Sequence, residues 1–423
     1  MLLKNTALPL LLTLALASFS THAANTCSLP KEQGTQDDTA LLQQSIDACA
    51  KQGGGTLALA GRTYTIGPIQ LRSHVYLVLA PETLILGTTD KSRYQPAFIG
   101  WPYRSNEALI SGYQISDSGI IGSGRIDGQG SAWWDEARTQ RKDRLYPDVP
   151  DANGMPRPWL VEFYDSSNIS IDGPTLQNSP MWNLALRYSK DVTIKNLRIH
   201  NPKEAANTDG IDIVSSQNVS VQHAEISTGD DNITIKSGLA PYAMPRQAAA
   251  NISIRDVKFG DGHGFSIGSE TFNGIHHVSL DGASFEGTTN GIRIKTGRDR
   301  GAEIAYIDLK NIHMQHVGMP LSITAYYPNV PAERGAPQAL SATTPHIHDV
   351  TISQLQAEDS KSAGRFIGLP EAALQGIHLQ DVSISAKTGL SLRDASIDAS
   401  KLQLHVSQGE ALIKNEQGIL NQH

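Results

Sequence analysis

Carboxylates recur in the middle of the chain beside glycine or asparagine. Asp209 lies in the tetrapeptide Asn-Thr-Asp-Gly, and Asp230 and Asp231 form the pair in Gly-Asp-Asp-Asn. Like charges held close together raise one another's pKa, so one carboxyl of three tends to keep its proton while the others ionise. A general acid and a general base on one surface are what the cleavage of a glycosidic bond requires. The three aspartates therefore form a candidate catalytic cluster.

Two further motifs follow the aspartates along the chain. His263 lies between two glycines, and Arg293 and Lys295 flank an isoleucine. Taken singly, these motifs are more often structural, because Asp-Gly pairs and Gly-His-Gly suit turns and Arg-Ile-Lys suits the outer face of a strand. Residues one turn of a parallel coil apart, however, lie above one another at about 5 Å. On such a coil the sequence predicts an imidazole and two cations beside the carboxylates.

A short apolar phrase recurs along most of the chain and carries these motifs. Its apolar and polar residues alternate with period two, which predicts strands and not helices. Copies begin at Asn168, Asp191, Asn218, Asn251, His277, Ala305, Asp349 and Asp381. Helical segments of the length that a doubly wound fold needs are missing between them. We therefore predict an all-β, single-domain parallel β-helix, with inward Ile, Val and Leu stacked into one core.

The N-terminal region carries two more predictions. Residues 37–49 place acids first and apolar residues, among them Leu42 and Ile46, at helical spacing, which predicts a short α-helix capping the open end of the coil. Cys27 and Cys49 are the two cysteines of the chain. In an exported protein they are expected to form a disulfide, worth roughly 3 kcal/mol for a loop of this size.

Residues 1–23 combine an early lysine, an apolar stretch and small residues near Ala23, which predicts a signal peptide. The apolar stretch is too short to span a bilayer. We expect residues 24–423 to form one monomeric catalytic domain, exported to the periplasm or the extracellular medium, with no membrane partner. The net charge of −7 argues against a nucleic-acid partner, although a local basic cleft can still bind an anionic substrate.

Three stretches interrupt the strand pattern: Trp133–Pro158, Gly238–Ala250 and Pro328–Thr344. They are rich in Pro, Ala or charged residues, which predicts surface loops that form the sides of a groove. Other aspartates, including Asp212, are assigned to turns and strand ends.

Taken together, the motifs Asn207-Thr-Asp209, Asp230-Asp231, Gly262-His263-Gly264 and Arg293-Ile-Lys295 resemble the signature motifs of the family 28 glycoside hydrolases, the polygalacturonases, in that family's order. The resemblance covers most of the mature chain. It implies a right-handed parallel β-helix that hydrolyses the α-1,4-D-galacturonosidic linkages of polygalacturonate with inversion. It implies neither a cofactor nor a metal.

The resemblance also implies catalytic roles. Asp230 would be the general acid that protonates the departing glycosidic oxygen, while Asp209 and Asp231 would hold and activate the attacking water. In inverting enzymes the acid and base carboxyls stand roughly 6.5 to 9.5 Å apart. His263 would lie beside the acid and adjust its proton.

Binding roles follow by the same resemblance. Arg293 and Lys295 would pair with the substrate carboxylate next to the cut, and Asn207 would hydrogen-bond the sugar. Tyr327 resembles the family's binding tyrosine, with Tyr326 as the alternative.

Competing functions share this fold. A pectate lyase would use calcium held by carboxylates and an arginine as base, and chelation would distinguish it. A non-catalytic β-helix, such as an adhesin or tail fibre, would need no carboxylate cluster. Hydrolysis of rhamnogalacturonan or xylogalacturonan is a related activity of the same family. Arg293 and Lys295 favour polygalacturonate over both, because they suit a galacturonate next to the cut. Endo action is favoured over exo action, although Trp133–Pro158 could close one end of the groove.

Overall fold

The computed structural model describes residues 25–30, 37–100, 103–150, 153–240 and 245–423. The predicted signal peptide therefore lies outside the described residues. Parallel strands follow one another around a coil and pair with the next turn, which gives the predicted right-handed parallel β-helix. The described part of the chain contains no helix that is long and apolar enough to cross a membrane.

The strands form three stacks, of which the first, the site sheet, carries the sequence motifs. Its strands are Ile69–Gln70, Ile110–Tyr113, Val161–Tyr164, Leu184–Arg187, Ile211–Val214, Ile233–Lys236, Phe265–Ile267, Asn290–Lys295, Met319–Thr324 and Leu412–Lys414, with the ends of His346–Ile367 and Leu374–Arg393.

The second stack contains Thr26–Cys27, Gly55–Leu59, Val75–Leu79, Ser116–Gly122, Ser167–Asp172, Lys190–Lys195, Gln217–Gln222, Ala249–Phe259, Ile275–Glu286, Glu303–Gln315, His346–Ile367, Leu374–Arg393, Ala395–Val406 and Gly418–Gln422. The third contains Thr63–Ile66, Leu84–Gly87, Arg125–Asp127, Thr175–Gln177, Arg198–His200 and Glu225–Ser227. It continues in the last residues of Ala249–Phe259 and in the matching parts of the long strands that follow. An antiparallel hairpin, Pro96–Gly100 with Tyr103–Asn106, and a 3₁₀ turn, Lys91–Arg93, lie outside the stacks.

Registered apolar side chains fill the coil. In the site sheet Ile213, Ile235, Ile267, Ile294 and Ile323 pair in successive rungs, and all five are buried. Full burial of such a side chain contributes about 1.5–3 kcal/mol. A one-residue slip would turn this ladder outward, so the ladder also fixes which residues face the groove.

Asparagine and aspartate residues start many rungs for a reason of backbone geometry. Asn168, Asp191, Asn218 and Asn251 all have φ near +55°, a region that Asn and Asp tolerate better than other side chains. The Asn218 amide donates to Asp191 at 2.8 Å, and the Asn251 amide donates to Asn218 at 3.1 Å. Asn168, Asn218 and Asn251 each begin an Asn-x-Ser sequence, which is therefore a structural element of the coil.

The first helix, α1 (Thr39–Lys51), confirms the predicted N-terminal helix and buries Leu42, Ile46 and Cys49 against the first strands. Cys27 and Cys49 form a disulfide. The helix is thereby tied to the first strand of the second stack.

The prediction of a loop over Trp133–Pro158 was wrong in its first half. Helix α2 (Ser131–Asp143) occupies it and buries Trp133 and Ala137, which are four residues apart and so share one face. The Trp133 ring meets Tyr94 edge-on at 5.5 Å between centroids. The helix is explained by its content of Ala, Glu, Arg, Gln and Lys, which are good helix formers.

Candidate active site

The three aspartates lie in the turns that lead into two neighbouring strands of the site sheet. The Gly210 amide, next to Asp209, donates to the carbonyl of Asp231 at 2.8 Å, and the His263 amide donates to the carbonyl of Asp230 at 2.8 Å. The predicted stacking of these motifs, one rung above another, is therefore present. One carboxylate oxygen from each aspartate lies within 4.8 Å of the others.

The three carboxyls differ in exposure. The Asp230 side chain is 28% exposed, whereas those of Asp209 and Asp231 are 6% and 2% exposed. Asp230 is therefore the carboxyl that a large substrate reaches most easily, and the other two form the floor beneath it.

Asp231 is surrounded by donors. Lys295 Nζ lies 2.6 Å from Oδ2, the Ser266 hydroxyl donates to Oδ1 at 2.7 Å, and Arg293 lies 3.5 Å away. Although burial alone would raise the pKa of Asp231, Lys295 and Arg293 bring it well below its ordinary value. Asp231 is thus ionised throughout the neutral and mildly acidic range.

Asp209 has the opposite environment. Burial and the neighbouring Asp212 raise its pKa well above the ordinary value, and Lys236, 3.3 Å away, only partly compensates. Burial likewise raises the pKa of Asp212 to about 7, although Lys236 lies 2.7 Å from it. The site therefore combines a carboxyl that holds a proton readily with one that does not.

The assignment of Asp212 to an ordinary turn or strand end was incomplete. Asp212 is fully buried between inward Ile211 and Ile213, and it shares Lys236 with Asp209. The Lys236 ammonium also lies 4.0 Å from the centre of the Trp182 ring. The position of Asp212 between two core isoleucines could have indicated that it is buried. Its partner, Lys236, could be identified only from the register between the two strands.

His263 lies at the mouth of the cluster. Its Nε2 is 3.7 Å from Oδ1 of Asp230, and its Nδ1 contacts the Thr289 hydroxyl. The imidazole is about one-third exposed. His263 therefore lies beside Asp230, and Thr289 orients its ring.

Asn207 is held by a residue that the sequence did not single out. Arg157 is completely buried and donates to Oδ1 of Asn207 at 2.7 Å and to the carbonyls of Pro180 and Ala206 at 2.8 Å. Burial lowers the pKa of Arg157 to about 10, so it remains charged at neutral pH. Arg157 was missed from the sequence, because this residue lies in the stretch that was predicted to be a surface loop.

The two candidate tyrosines differ in position. The Tyr327 ring lies 5.6 Å from Lys295 Nζ, beside the cations that follow the aspartates. The Tyr326 hydroxyl is buried, and its ring lies between Arg298 and Arg393. The geometry favours Tyr327 as the residue that faces the groove.

The chain matches the model of "Glycosyl hydrolases family 28" over residues 30–401, and it belongs to that family. It is 31% identical over 320 residues to an endo-polygalacturonase of Pectobacterium carotovorum subsp. carotovorum, an alignment covering 72% of this chain and 76% of the relative. The protein is therefore a glycoside hydrolase.

Solved structures show the same fold. An exopolygalacturonase from Thermotoga maritima aligns with a TM-score of 0.75 at 24% identity, over 93% of this chain and 94% of its own. A family 28 exopolygalacturonase from Yersinia enterocolitica aligns with a TM-score of 0.77 at 20% identity, over 92% and 76% of the two chains.

Proposed function

We propose that the protein hydrolyses α-1,4-D-galacturonosidic linkages of polygalacturonate, with inversion at the anomeric carbon. The observation that carries the proposal is the carboxylate cluster of Asp209, Asp230 and Asp231, together with Arg293 and Lys295, which lie two rungs further on and contact Asp231. Such a cluster supplies acid and base, and the cations suit a substrate with a carboxylate on every sugar.

In this mechanism Asp230 is the general acid. Its greater exposure lets its carboxyl reach the bridging oxygen, and it gives that oxygen a proton as the bond to the anomeric carbon breaks. Water attacks the anomeric carbon from the opposite face and transfers a proton to the floor carboxylates. Asp230 then regains a proton from solvent, with His263 beside it, and the floor carboxyl that took the proton of the water releases it to solvent.

Asp231 and Asp209 act on the water in different ways. Asp231, held ionised by Lys295 and Arg293, orients it as a hydrogen-bond acceptor. Asp209, whose raised pKa makes it the stronger base once it is ionised, takes the proton. Lys236 favours the ionised form of Asp209 and so prepares it for this step.

Arg293 and Lys295 have a second task. Both remain within reach of the groove while contacting Asp231, so one substrate carboxylate can bind to them next to the cut. Tyr327 lies over Lys295 and is placed to contact the same sugar. Oδ1 of Asn207 accepts from Arg157, and its amide nitrogen has no partner among the described residues, so that nitrogen can donate to a sugar hydroxyl.

The spacing of the carboxyls bears on stereochemistry. The nearest oxygens, within 4.8 Å, are closer than the roughly 6.5 to 9.5 Å usual between the acid and base groups of inverting enzymes. Carboxyl carbons lie farther apart than their closest oxygens, by about 1.2 Å for each C–O bond. Inversion therefore remains a prediction.

Endo action is proposed because the relative named as an endo-polygalacturonase is 31% identical over most of both chains. One observation favours exo action as the second candidate. The segment after Ser131 reaches the turn before Asp209, where Arg138 donates to the Glu204 carbonyl and Arg157 holds Asn207. If this segment closes the groove on that side, the groove is shorter there and suits cleavage near a chain end.

We also propose export as a monomer with a single catalytic domain over residues 24–423. The Cys27–Cys49 disulfide supports export, because such bonds persist in oxidising compartments.

The test is incubation of the purified protein with polygalacturonate in EDTA, following reducing ends and unsaturated product. We expect reducing ends without unsaturated product, and a loss of at least about 100-fold in Asp230→Asn. Asp256→Asn is the matched control, because Asp256 is exposed and its φ of 53° also suits asparagine. Cleavage that depends on calcium and gives unsaturated product would mean a lyase, and no cleavage would mean a binding protein.

A further inference from the structure

The outward side chains of the site sheet form a row that continues well past the aspartates. The strand pairings align Asp212, Thr234, Ser266, Arg293 and Ser322 in successive rungs. The next residues in the row are Arg365 and Ser391. The floor of the groove thus extends at least three rungs beyond the catalytic cluster.

Charged residues on the earlier rungs of this floor have opposite charges beside them. Glu162 lies 2.6 Å from Arg187, Asp212 lies 2.7 Å from Lys236, and Arg293 lies 3.5 Å from Asp231. These contacts neutralise charges that would otherwise be costly to desolvate.

Arg365 differs from them. Its Nε donates to the Ser322 hydroxyl at 3.2 Å, and within the described ranges no carboxylate lies at ion-pair distance from its guanidinium. Burial and the like charge of Arg293 both lower its pKa. A half-buried guanidinium with no carboxylate at ion-pair distance among the described residues is a site for an anion.

The neighbours of Arg365 in this row are small and polar. They are Ser322 and Ser391, which both carry hydroxyls. The segment after Tyr327 is fixed beside this end of the sheet, because Arg393 donates to the carbonyls of Pro331 and Ala332. The two serines thus flank Arg365 in the row, and the segment after Tyr327 borders this end of the sheet.

We propose that Arg365 binds the carboxylate of a second galacturonate, farther from the cut than the sugar held by Arg293 and Lys295. Arg365 lies two rungs from Arg293, about 10 Å along the coil. That distance exceeds one sugar ring, so the two arginines meet different sugars of one chain. The inference rests on the proposed function and adds a specificity-determining residue to it.

The test compares Arg365→Gln with wild type on galacturonate oligomers of increasing length and on polygalacturonate. For the shortest cleaved oligomer we expect unchanged kcat and KM. Once the oligomer reaches Arg365, we expect KM to rise about tenfold with little change in kcat, the usual scale for one charge-assisted contact. Arg365→Lys should recover part of the affinity.

Arg255→Gln is the control, because Arg255 is exposed on the second stack and its loss changes the net charge equally. An active wild type with no length-dependent change in Arg365→Gln would overturn the inference alone. An equal loss at every length would assign Arg365 a structural role and also overturn it. An inactive wild type would overturn the proposed function and the inference with it.

Discussion

Replacement of Lys236 by methionine tests how the site controls the protonation of Asp209. Lys236 Nζ lies 3.3 Å from Asp209 and 2.7 Å from Asp212, and all three side chains are buried. Methionine retains most of the side-chain volume and removes the charge. The two carboxyls would then face each other without a cation between them.

The magnitude follows from the distance. At 3.3 Å and an effective dielectric constant of about 20, the attraction between Lys236 and ionised Asp209 is about 5 kcal/mol. Only part of that attraction stabilises ionised Asp209, because Lys236 is shared with Asp212, which lies closer to it. Since one pKa unit corresponds to about 1.4 kcal/mol, we expect the pKa of Asp209 to rise by at least about one unit.

The sign of the change in the pH profile is fixed by the role of Asp209. A base with a higher pKa is protonated up to a higher pH, so the acidic limb of kcat should move upward in Lys236→Met. The assay is kcat on polygalacturonate from about pH 3 to 8, with folding checked by circular dichroism. Adding Asp212→Asn removes one negative charge as well and should move the limb back toward that of wild type.

An unchanged acidic limb in a folded Lys236→Met protein would refute the reasoning. A limb that moves to lower pH would refute it as well, because Lys236 would then not favour ionised Asp209. If the double variant keeps the full shift, Asp212 does not take part in the coupling.

Two further predictions concern stability. Ile235→Ala removes a fully buried side chain from the middle of the site-sheet ladder and should lower the free energy of unfolding by about 2–5 kcal/mol in urea denaturation, whereas the exposed Ile413→Ala should change it by less than about 1 kcal/mol. Replacing both Cys27 and Cys49 by alanine should lower it by about 3 kcal/mol, and the same reducing agent that destabilises wild type should leave this variant unaffected.

The coil could be predicted because its physical cause is local. Period-two alternation places Ile235 and Ile267 inward whatever the length of the loops between them. The repeated Asn and Asp residues mark positions of positive φ, which recur once per turn. The order of the motifs then sufficed to place Asp209 and Asp231 on adjacent rungs.

The missed features depend on contacts between distant loops or on side-chain pairing. Helix α2 could have been recognised from its helix formers, but the buried role of Arg157 depends on where that segment meets Asn207. To predict the Lys236–Asp212 pair, one must know how the two strands that carry these residues align. The sequence of the segment that joins the strands does not give that register. Sequence periodicity identifies the face of a strand and leaves the neighbour of each side chain open.

The most direct test of the central claim is proton NMR of the anomeric signals while the enzyme hydrolyses an oligogalacturonate in EDTA. Inverting hydrolysis of an α-linkage predicts that the β-anomer of the new reducing end forms first and then mutarotates. The α-anomer appearing first would contradict inversion and would assign one aspartate as a nucleophile. An unsaturated sugar in place of a new hydrated end would contradict hydrolysis itself.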